Sequence, residues 1–253
     1  VVRPLPALGL LAAVVIAGGV AARLAGPGAS VADGSDSIPP PLKSVPNVIL
    51  VMVDTLRADH LSCYGAEGIK TPNLCSLAED GGSRLEGFSH SSWTKPATAS
   101  LLSSTLATTH QAMSKPSMLS DETVLVSEAL QDHGYTTGGI VSNINLAPSF
   151  GFDQGYDEYH YLAPDYLAGA EESSSKLILY QIARPIVFKL SSGQRFGDFY
   201  QDSVVVNEMV FDWLDRNGKS RFFLFLHYMD PHDPYFAHPY NGEAVARAAN
   251  QNP

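Results

Sequence analysis

Three short strand-like runs constrain the fold of this chain more than any other feature of its sequence. They are residues 47–53 (NVILVMV), 135–141 (YTTGGIV) and 221–226 (RFFLFL). Runs of this kind are typical of strands buried on both faces in a parallel sheet, and we predict such burial here. Helical segments alternate with them, at residues 71–82, 96–106, 121–132 and 202–216. This alternation predicts an α/β fold with a mainly parallel sheet flanked by helices.

The first 25 residues are a distinct hydrophobic segment. No residue from Leu5 to Ala22 is charged, and Arg3 precedes this run. About 18 apolar residues are close to the shortest stretch that spans a bilayer as a helix, and the same layout fits a secretory signal peptide. We therefore predict a hydrophobic helix over residues 1–25, which is either a signal peptide or a transmembrane anchor.

Residues 26–46 are rich in Pro, Gly and Ser and have too few large apolar side chains to form a core. We predict a disordered tether there, followed by one α/β domain over residues 47–253. Either form of the N-terminal segment makes the protein membrane-anchored or secreted, with this domain on the extracytoplasmic side. Cys63 and Cys75 could pair in an exported domain, and two separate buried thiols are the alternative.

The charge of the chain argues against a nucleic-acid partner. Its 26 Asp and Glu residues outnumber its 16 Lys and Arg residues, which gives a formal net charge of −10. Binding to a phosphate backbone needs a basic stripe, and no cluster of Lys and Arg supplies one.

The first polar segment with candidate chemistry follows the first strand. Ligands of parallel α/β sheets bind outside the carboxyl ends of the strands, and Asp54 occupies such an end. A carboxylate on a rigid element is well placed to hold a divalent cation, because hard metals prefer oxygen ligands. The alternative is that Asp54 caps the turn after the strand.

The second segment is residues 91–100, where Pro96 predicts the first turn of a helix that begins just after Thr94. The unpaired N–H groups and the dipole of a helix N-terminus attract anions. A hydroxyl there could attack phosphorus or sulfur, provided that a metal or a base lowers its pKa. The alternative is that Thr94 is an ordinary N-cap.

The third segment is residues 227–235, in which two histidines and two aspartates lie in a turn stiffened by two prolines. A histidine at this edge of the sheet can contact an anionic substrate or protonate a leaving group. His227 and His232 are the candidates, and a polar connection without chemistry is the alternative.

The order of these segments resembles the N-terminal part of the sulfatase family, which belongs to the alkaline phosphatase superfamily. The similar segments run from Pro46 to Tyr235: residues 47–65, 71–74, 93–96, 99–102, 134–137, 143, 150–153 and 230–235. The resemblance implies an enzyme that hydrolyses or transfers sulfate or phosphate esters and uses one divalent metal ion, which would be Ca, Mn, Mg or Zn.

The resemblance also implies roles for individual residues. Asp54 matches the first metal ligand, Thr94 occupies the place of the nucleophile and would be a second ligand, and His232 matches the histidine that contacts the substrate. We assign substrate binding to three further residues near these positions, which are Lys95, Arg57 and His227. For Arg57, an ion pair with Asp59 is an equal alternative.

Two departures from the family pattern shape the predicted reaction. Typical sulfatases have a second aspartate where this chain has Thr55, and a C/S-x-P-S-R signature where it has TKPAT at residues 94–98. Threonine cannot be converted to the formylglycine of sulfatases. Thr94 is instead similar to the threonine of phosphotransferases, phosphodiesterases and phosphonate hydrolases in this superfamily. An orthodox sulfatase would need Ser91, Ser92 or Ser100, and none has a proline two residues later.

The family completes its metal site with an Asp-His or Asp-Asn pair on a later strand, and residues 236–253 contain no such pair. Asp54 and Thr94 alone are too few ligands for tight binding of a divalent metal. We therefore expect that the sequence is truncated at its C-terminus. The alternative is a non-catalytic sulfatase-like protein with a binding or regulatory role.

Overall fold

A computed structural model describes residues 45–68, 70–82, 87–164, 177–190 and 200–232. The predicted hydrophobic helix and most of the predicted tether lie outside these ranges, as do residues 233–253. In the part that is described, no helix is long and apolar enough to cross a membrane.

The described elements follow one another in the predicted α/β alternation. In chain order they are β1 (Val48–Val53), α1 (Pro72–Gly81), α2 (Thr94–Ser103), α3 (Ala107–His110), α4 (Val126–Asp132), β2 (Thr136–Val141), β3 (Glu158–Tyr161), α5 (Ile178–Leu190), α6 (Ser203–Asn217) and β4 (Phe222–Tyr228).

The four strands form one sheet in the order β1-β4-β2-β3, and every neighbouring pair is parallel. This confirms the predicted parallel sheet flanked by helices. β3 was not predicted, because its residues (EYHY) include no apolar run. β4 lies between β1 and β2 and all of residues 222–227 are buried, as predicted for a strand covered on both faces.

A separate hydrophobic core covers each face of the sheet, and β4 contributes alternate side chains to both. Phe223 and Phe225 pack in one core with residues of α2 and with residues next to α4. Leu224 and Leu226 pack in the other core with Trp213 of α6. This alternation follows from the two-residue period of a strand, so every second side chain of β4 points toward α2.

The prediction that β1 is buried on both faces is wrong. β1 lies at the end of the described sheet, and Ile49 and Val51 are 51% and 53% exposed. Its other face packs against the core that contains α2. An apolar run shows that a strand forms, but the order of strands decides how many of its faces are covered.

Two helices begin at residues other than those predicted. α2 begins at Thr94, so its first turn includes the residue that we had placed before the helix. α4 begins at Val126 rather than near residue 121, because the Glu128 side chain accepts a hydrogen bond from the Leu125 amide at 2.7 Å. A carboxylate that binds this amide satisfies a free donor and fixes the start of the helix.

Cys63 and Cys75 form a disulfide, with their Cα atoms 5.3 Å apart. It joins the short turn Ser62–Tyr64 to α1. Thr71 reinforces this junction, because its Oγ1 accepts a hydrogen bond from the Ser62 amide at 3.0 Å. Of the two alternatives for the cysteines, the structure has the paired one.

Helix α5 belongs to a compact unit separate from the one that contains the sheet. Four of its large apolar residues are exposed, namely Ile178, Leu179, Ile182 and Ile186. Ile178, Ile182 and Ile186 recur every four residues and Leu179 lies three residues before Ile182, which places these residues along one side of the helix.

Candidate active site

Three strand ends and one helix start meet at one edge of the sheet. Asp54 directly follows β1, Asn143 lies two residues after β2, and Met229 directly follows β4. α2 begins at Thr94 beside them. Because the strands are parallel, their carboxyl ends lie at the same edge, and the Asp54 amide extends the ladder by donating to the Tyr228 carbonyl at 2.8 Å. The chain therefore brings distant residues together at the predicted location.

The centre of the site is a hydrogen bond between Thr94 and Asp54. Thr94 Oγ1 donates to Asp54 Oδ2 at 2.8 Å, and the two residues are 8% and 7% exposed. Trp93, not Thr94, is the N-cap of α2, and it makes no side-chain capping bond. The interpretation of Thr94 as an ordinary N-cap is therefore wrong, because its hydroxyl is directed at the end of β1.

His227 belongs to β4 and not to the following turn, where the sequence analysis had placed it. Its ring is fully buried, and Nε2 lies 3.4 Å from Asp54 Oδ2. The Nε2 contact with Asp54 is electrostatic and lacks the geometry of an aligned hydrogen bond, and Nδ1 has no hydrogen-bond partner in the described part of the chain. A buried polar atom without such a partner is costly and is typical of a group with a chemical role. The ring faces Asp54, with no surface of its own to offer a substrate.

The surroundings of Asp54 favour its ionised form. Burial raises the pKa of the carboxyl group, but the interactions with His227 and Thr94 and the charge of His232 lower it, and the net shift is downward. The site therefore holds a carboxylate at neutral pH, and a carboxylate is the form that binds a metal ion.

His232 lies in the turn that follows β4. Its amide donates to the Met229 carbonyl at 2.8 Å, and its carbonyl accepts from the Tyr200 hydroxyl at 2.8 Å. The Tyr200 and His232 rings are arranged edge to face, with centroids 6.4 Å apart. These contacts hold the turn while the partly buried imidazole is near enough to affect the pKa of Asp54.

Lys95 directs its charge into the interior. The side chain is fully buried, and Nζ lies 2.7 Å from the Lys115 carbonyl, 2.9 Å from that of Ser117 and 3.5 Å from that of Ser114. Nζ also lies 3.4 Å from the centroid of the Phe150 ring. Burial lowers the pKa of this ammonium. This enclosure does not support the predicted contact between Lys95 and a substrate.

Arg57 pairs with Asp59 through two hydrogen bonds of 2.6 and 2.9 Å, and both side chains are exposed. Of the two alternatives for Arg57, the structure has the ion pair.

Ser100 and His110 form a second buried pair, which bears on the alternative nucleophiles. Ser100 Oγ lies 3.0 Å from His110 Nε2, and His110 Nδ1 accepts a hydrogen bond from the Ala112 amide at 3.1 Å. The neutral ring must then carry its proton on Nε2 and donate it to Ser100. A histidine in this tautomer cannot remove the serine proton, so the pair is not a nucleophile and its base.

The sequence analysis gave no role to Asn143, although the residue is 5% exposed and central to the site. Its Nδ2 lies 3.5 Å from both Asp54 Oδ2 and Thr94 Oγ1, and 3.3 Å from Met229 Sδ. Its position just after β2, at the same edge as Asp54, was the signal that could have identified it.

These residues fit part of a site for a divalent cation. Asp54 and Thr94 place two buried oxygen atoms 2.8 Å apart, and oxygen donors suit the hard cations. His227 adds a buried nitrogen without a hydrogen bond. The described residues include no group of three or more His, Cys, Asp or Glu that could hold a metal ion. Such a cation would therefore need ligands beyond these residues.

Residues 46–252 match the Sulfatase family model. Among characterised proteins, N-acetylgalactosamine-6-O-sulfatase of Bacteroides thetaiotaomicron is 29% identical over 114 residues, which are 43% of this chain and 22% of that protein.

Solved structures with a similar fold include BT4656 and a phosphonate monoester hydrolase. BT4656, solved in complex with its substrate D-glucosamine-2-N,6-O-disulfate, has a TM-score of 0.57 at 20% identity, over 77% of this chain and 36% of BT4656. The phosphonate monoester hydrolase of Agrobacterium radiobacter has a TM-score of 0.55 at 22% identity, over 81% of this chain and 46% of that enzyme. At these identities the likeness shows the fold alone, and the chain spans less than half of each relative.

Proposed function

This chain belongs to the sulfatase family, and from that premise we propose that it carries part of the active site of a hydrolase or transferase of sulfate or phosphate esters. The observation that carries the proposal is the buried 2.8 Å hydrogen bond between Thr94 and Asp54 at the carboxyl edge of the sheet. It places a hydroxyl against an ionised carboxylate at the start of a helix, where anions bind.

Thr94 is the proposed nucleophile. Its Oγ1 forms a bond to phosphorus or sulfur while the bond from that atom to the leaving oxygen breaks, the Thr94 proton passes to solvent, and His232 gives a proton to the departing alcohol. Water or a second alcohol then cleaves the covalent ester, which restores the hydroxyl. His232 regains its proton in this second step, from the water or alcohol that attacks. No formylglycine is needed, because the threonine oxygen itself attacks.

His232 is the proposed group that contacts the substrate and supplies the proton to the leaving alcohol. It lies in the turn after β4, where Tyr200 and Met229 fix the main chain around it. His227 has a different proposed role, since its ring is fully buried against Asp54. It stabilises the carboxylate and does not contact the substrate.

Asp54 and Thr94 would hold a divalent cation with the help of ligands outside the described residues. When bound, such a cation would lower the pKa of the Thr94 hydroxyl and neutralise charge on the ester oxygens. Members of the sulfatase and alkaline phosphatase superfamily generally use a divalent metal, and the identity of the ion is open here.

A phosphate or phosphonate ester is the proposed substrate class. BT4656 binds a sulfated glucosamine, whereas the Agrobacterium enzyme is a phosphonate monoester hydrolase. Thr94 favours the second chemistry, because a threonine cannot become the aldehyde that sulfatases use for sulfate esters. Transfer of the phosphoryl group to another alcohol uses the same first step.

We also propose that the domain acts outside the cytoplasm, attached to a membrane through residues 1–25 or released by their cleavage. The uncharged run from Leu5 to Ala22 supports export. The disulfide between Cys63 and Cys75 supports it independently, because disulfides persist in oxidising compartments.

Covalent capture tests the role of Thr94. The protein is incubated with bis(4-nitrophenyl) phosphate and Mn²⁺, released nitrophenol is measured, and the modified residue is mapped by mass spectrometry. We expect a 4-nitrophenyl phosphoryl group on Thr94 and its loss in Thr94→Ala. Thr98→Ala is the matched control, since Thr98 is buried in the same helix and its Oγ1 lies 3.5 Å from Met52 Sδ.

The outcomes separate the alternatives. Turnover that survives in Thr94→Ala, or an adduct on another residue, excludes Thr94 as the nucleophile. If neither released nitrophenol nor an adduct is detected with Mn²⁺, Mg²⁺, Ca²⁺ or Zn²⁺, this result favours the alternative of a non-catalytic relative.

A further inference from the structure

We infer that Asn143 is a further catalytic residue of the proposed reaction, with its side-chain amide donating a hydrogen bond to the Thr94 oxygen as that oxygen loses its proton. The inference rests on the proposed function, because it needs Thr94 as the nucleophile. It starts from the 3.5 Å separation between Asn143 Nδ2 and Thr94 Oγ1.

The orientation of the Asn143 amide is fixed by its surroundings. Its Oδ1 accepts hydrogen bonds from the Asn145 amide at 2.9 Å and from Asn145 Nδ2 at 3.0 Å. Rotating the amide by 180° would point its NH₂ group at these two donors and its oxygen at the Asp54 carboxylate. Both changes are repulsive, so the NH₂ group must face Asp54 and Thr94.

Asn143 Nδ2 lies beside the Thr94 oxygen even while the Thr94 hydroxyl is intact, at 3.5 Å. In the resting site the hydroxyl gives its hydrogen to Asp54 Oδ2. When Oγ1 attacks, this hydrogen no longer lies between the two residues, and an N–H donor already placed beside both oxygens stabilises the charge that develops there. Among the hydrogen bonds of the described residues, Nδ2 of Asn143 is the N–H donor that reaches both oxygens.

The position of Asn143 makes it a prearranged donor. It is 5% exposed, so water does not compete for its N–H groups. It lies two residues after β2, the strand that pairs with β4, and Nδ2 also contacts Met229, the residue that follows β4. A fixed donor in a buried site costs no reorganisation during the reaction, and loss of one such donor lowers kcat by about 10²–10³-fold.

The test compares Asn143→Ala and Asn143→Asp with the unchanged protein, with bis(4-nitrophenyl) phosphate as substrate and Mn²⁺ present. We expect kcat and the rate of adduct formation on Thr94 to fall by about 10²-fold or more in both variants. KM should stay within about threefold, because the interaction strengthens only as the reaction proceeds. Asn143→Asp keeps the shape of the side chain but replaces the donor by a charged acceptor, so a fall in kcat in both variants cannot be due to loss of packing alone.

Asn217→Ala is the matched control. It removes another partly buried asparagine, whose Nδ2 bonds to Glu158 and to the Trp213 carbonyl at the end of α6. The kcat of Asn217→Ala should equal that of the unchanged protein. Mn²⁺ affinity, measured by calorimetry, should also be unchanged in Asn143→Ala.

Each other result overturns the inference in a recognisable way. If the unchanged protein labels Thr94 and Asn143→Ala does so within threefold of its rate, Asn143 has no catalytic role while the proposed function stands. If Asn143→Ala weakens Mn²⁺ binding more than tenfold, Asn143 acts on the cation and not on the oxygen. If the unchanged protein labels no residue, the proposed function fails and this inference fails with it.

Discussion

Replacement of Lys95 by methionine tests how the start of α2, and with it Thr94, is held in place. The Lys95 ammonium joins the first turn of α2 to the carbonyls of Lys115 and Ser117. Methionine keeps the length and most of the volume of the side chain and leaves its contact with Phe150. The substitution therefore removes the charge and the hydrogen bonds without opening a large cavity.

The magnitude follows from the two short contacts. A hydrogen bond to a charged group contributes about 1.5–3 kcal/mol, so the bonds of 2.7 and 2.9 Å together contribute about 3–6 kcal/mol before any offset. Removal of the buried ammonium also removes the cost of taking it out of water, which offsets part of this loss. We expect the free energy of unfolding of Lys95→Met to fall by about 3 kcal/mol, because the two carbonyls are left without their donor.

Urea unfolding followed by circular dichroism measures this difference. Lys115→Met is the matched control, since it removes the same charge from an exposed side chain and should change the free energy of unfolding by no more than about 0.5 kcal/mol. Equal stability of the two variants would refute the reasoning, because it would mean that the carbonyls do not hold the ammonium. The comparison requires that the slope of the free energy of unfolding against urea concentration is the same in both variants.

Two further predictions concern the core. Burial lowers the pKa of His110 below its usual 6.5, so the folded state prefers the neutral ring. The contribution of His110 to the free energy of unfolding should therefore be fully present above about pH 6.5. It should decrease as the pH falls from there to the lower pKa of the folded state. Urea unfolding at pH 5–8 should show a smaller loss toward acid in His110→Gln, and an equal loss would contradict this account. Alanine at Gly138 would bring a Cβ within 2.6 Å of the Trp213 ring, so Gly138→Ala should destabilise the fold by about 1–3 kcal/mol. In thermal unfolding Gly81→Ala is the control, since open space surrounds that position, and equal melting temperatures would exclude the clash.

The local sequence was sufficient to predict β4 and α6, because their information is short-range. β4 carries a continuous apolar run, and α6 begins where the Asp202 carboxylate accepts from the amides of Val204 and Val205 at 3.1 Å. The exposure of β1 depends instead on which strands lie beside it, and β3 is held by parallel pairing with β2 rather than by an apolar pattern. Both depend on contacts far apart in the chain, which no local pattern records.

The candidate site also combines residues that the local sequence predicts with residues whose roles depend on contacts distant in the chain. Asp54 and Thr94 could be predicted as partners, because a strand end and a helix start carry polar groups toward the same edge of the sheet. The direction of the Lys95 side chain could not be predicted, since it depends on where residues 114–117 pass over α2. The role of Asn143 depends on Asn145, which fixes the orientation of the amide.

The backbone beside Asp54 shows why local rules fail at this edge of the sheet. Thr55 has a φ of +55°, a left-handed conformation that is unusual for a β-branched residue and costs about 1–2 kcal/mol. A chain that followed local preference would not turn this way directly after β1. The turn persists because the Asp54 amide is held by the Tyr228 carbonyl and its carboxylate by Thr94, so contacts with β4 and α2 outweigh the local cost. Such strain is typical of positions where the orientation of a side chain matters more than the ease of folding, and here the side chain is the carboxylate that the proposed reaction uses.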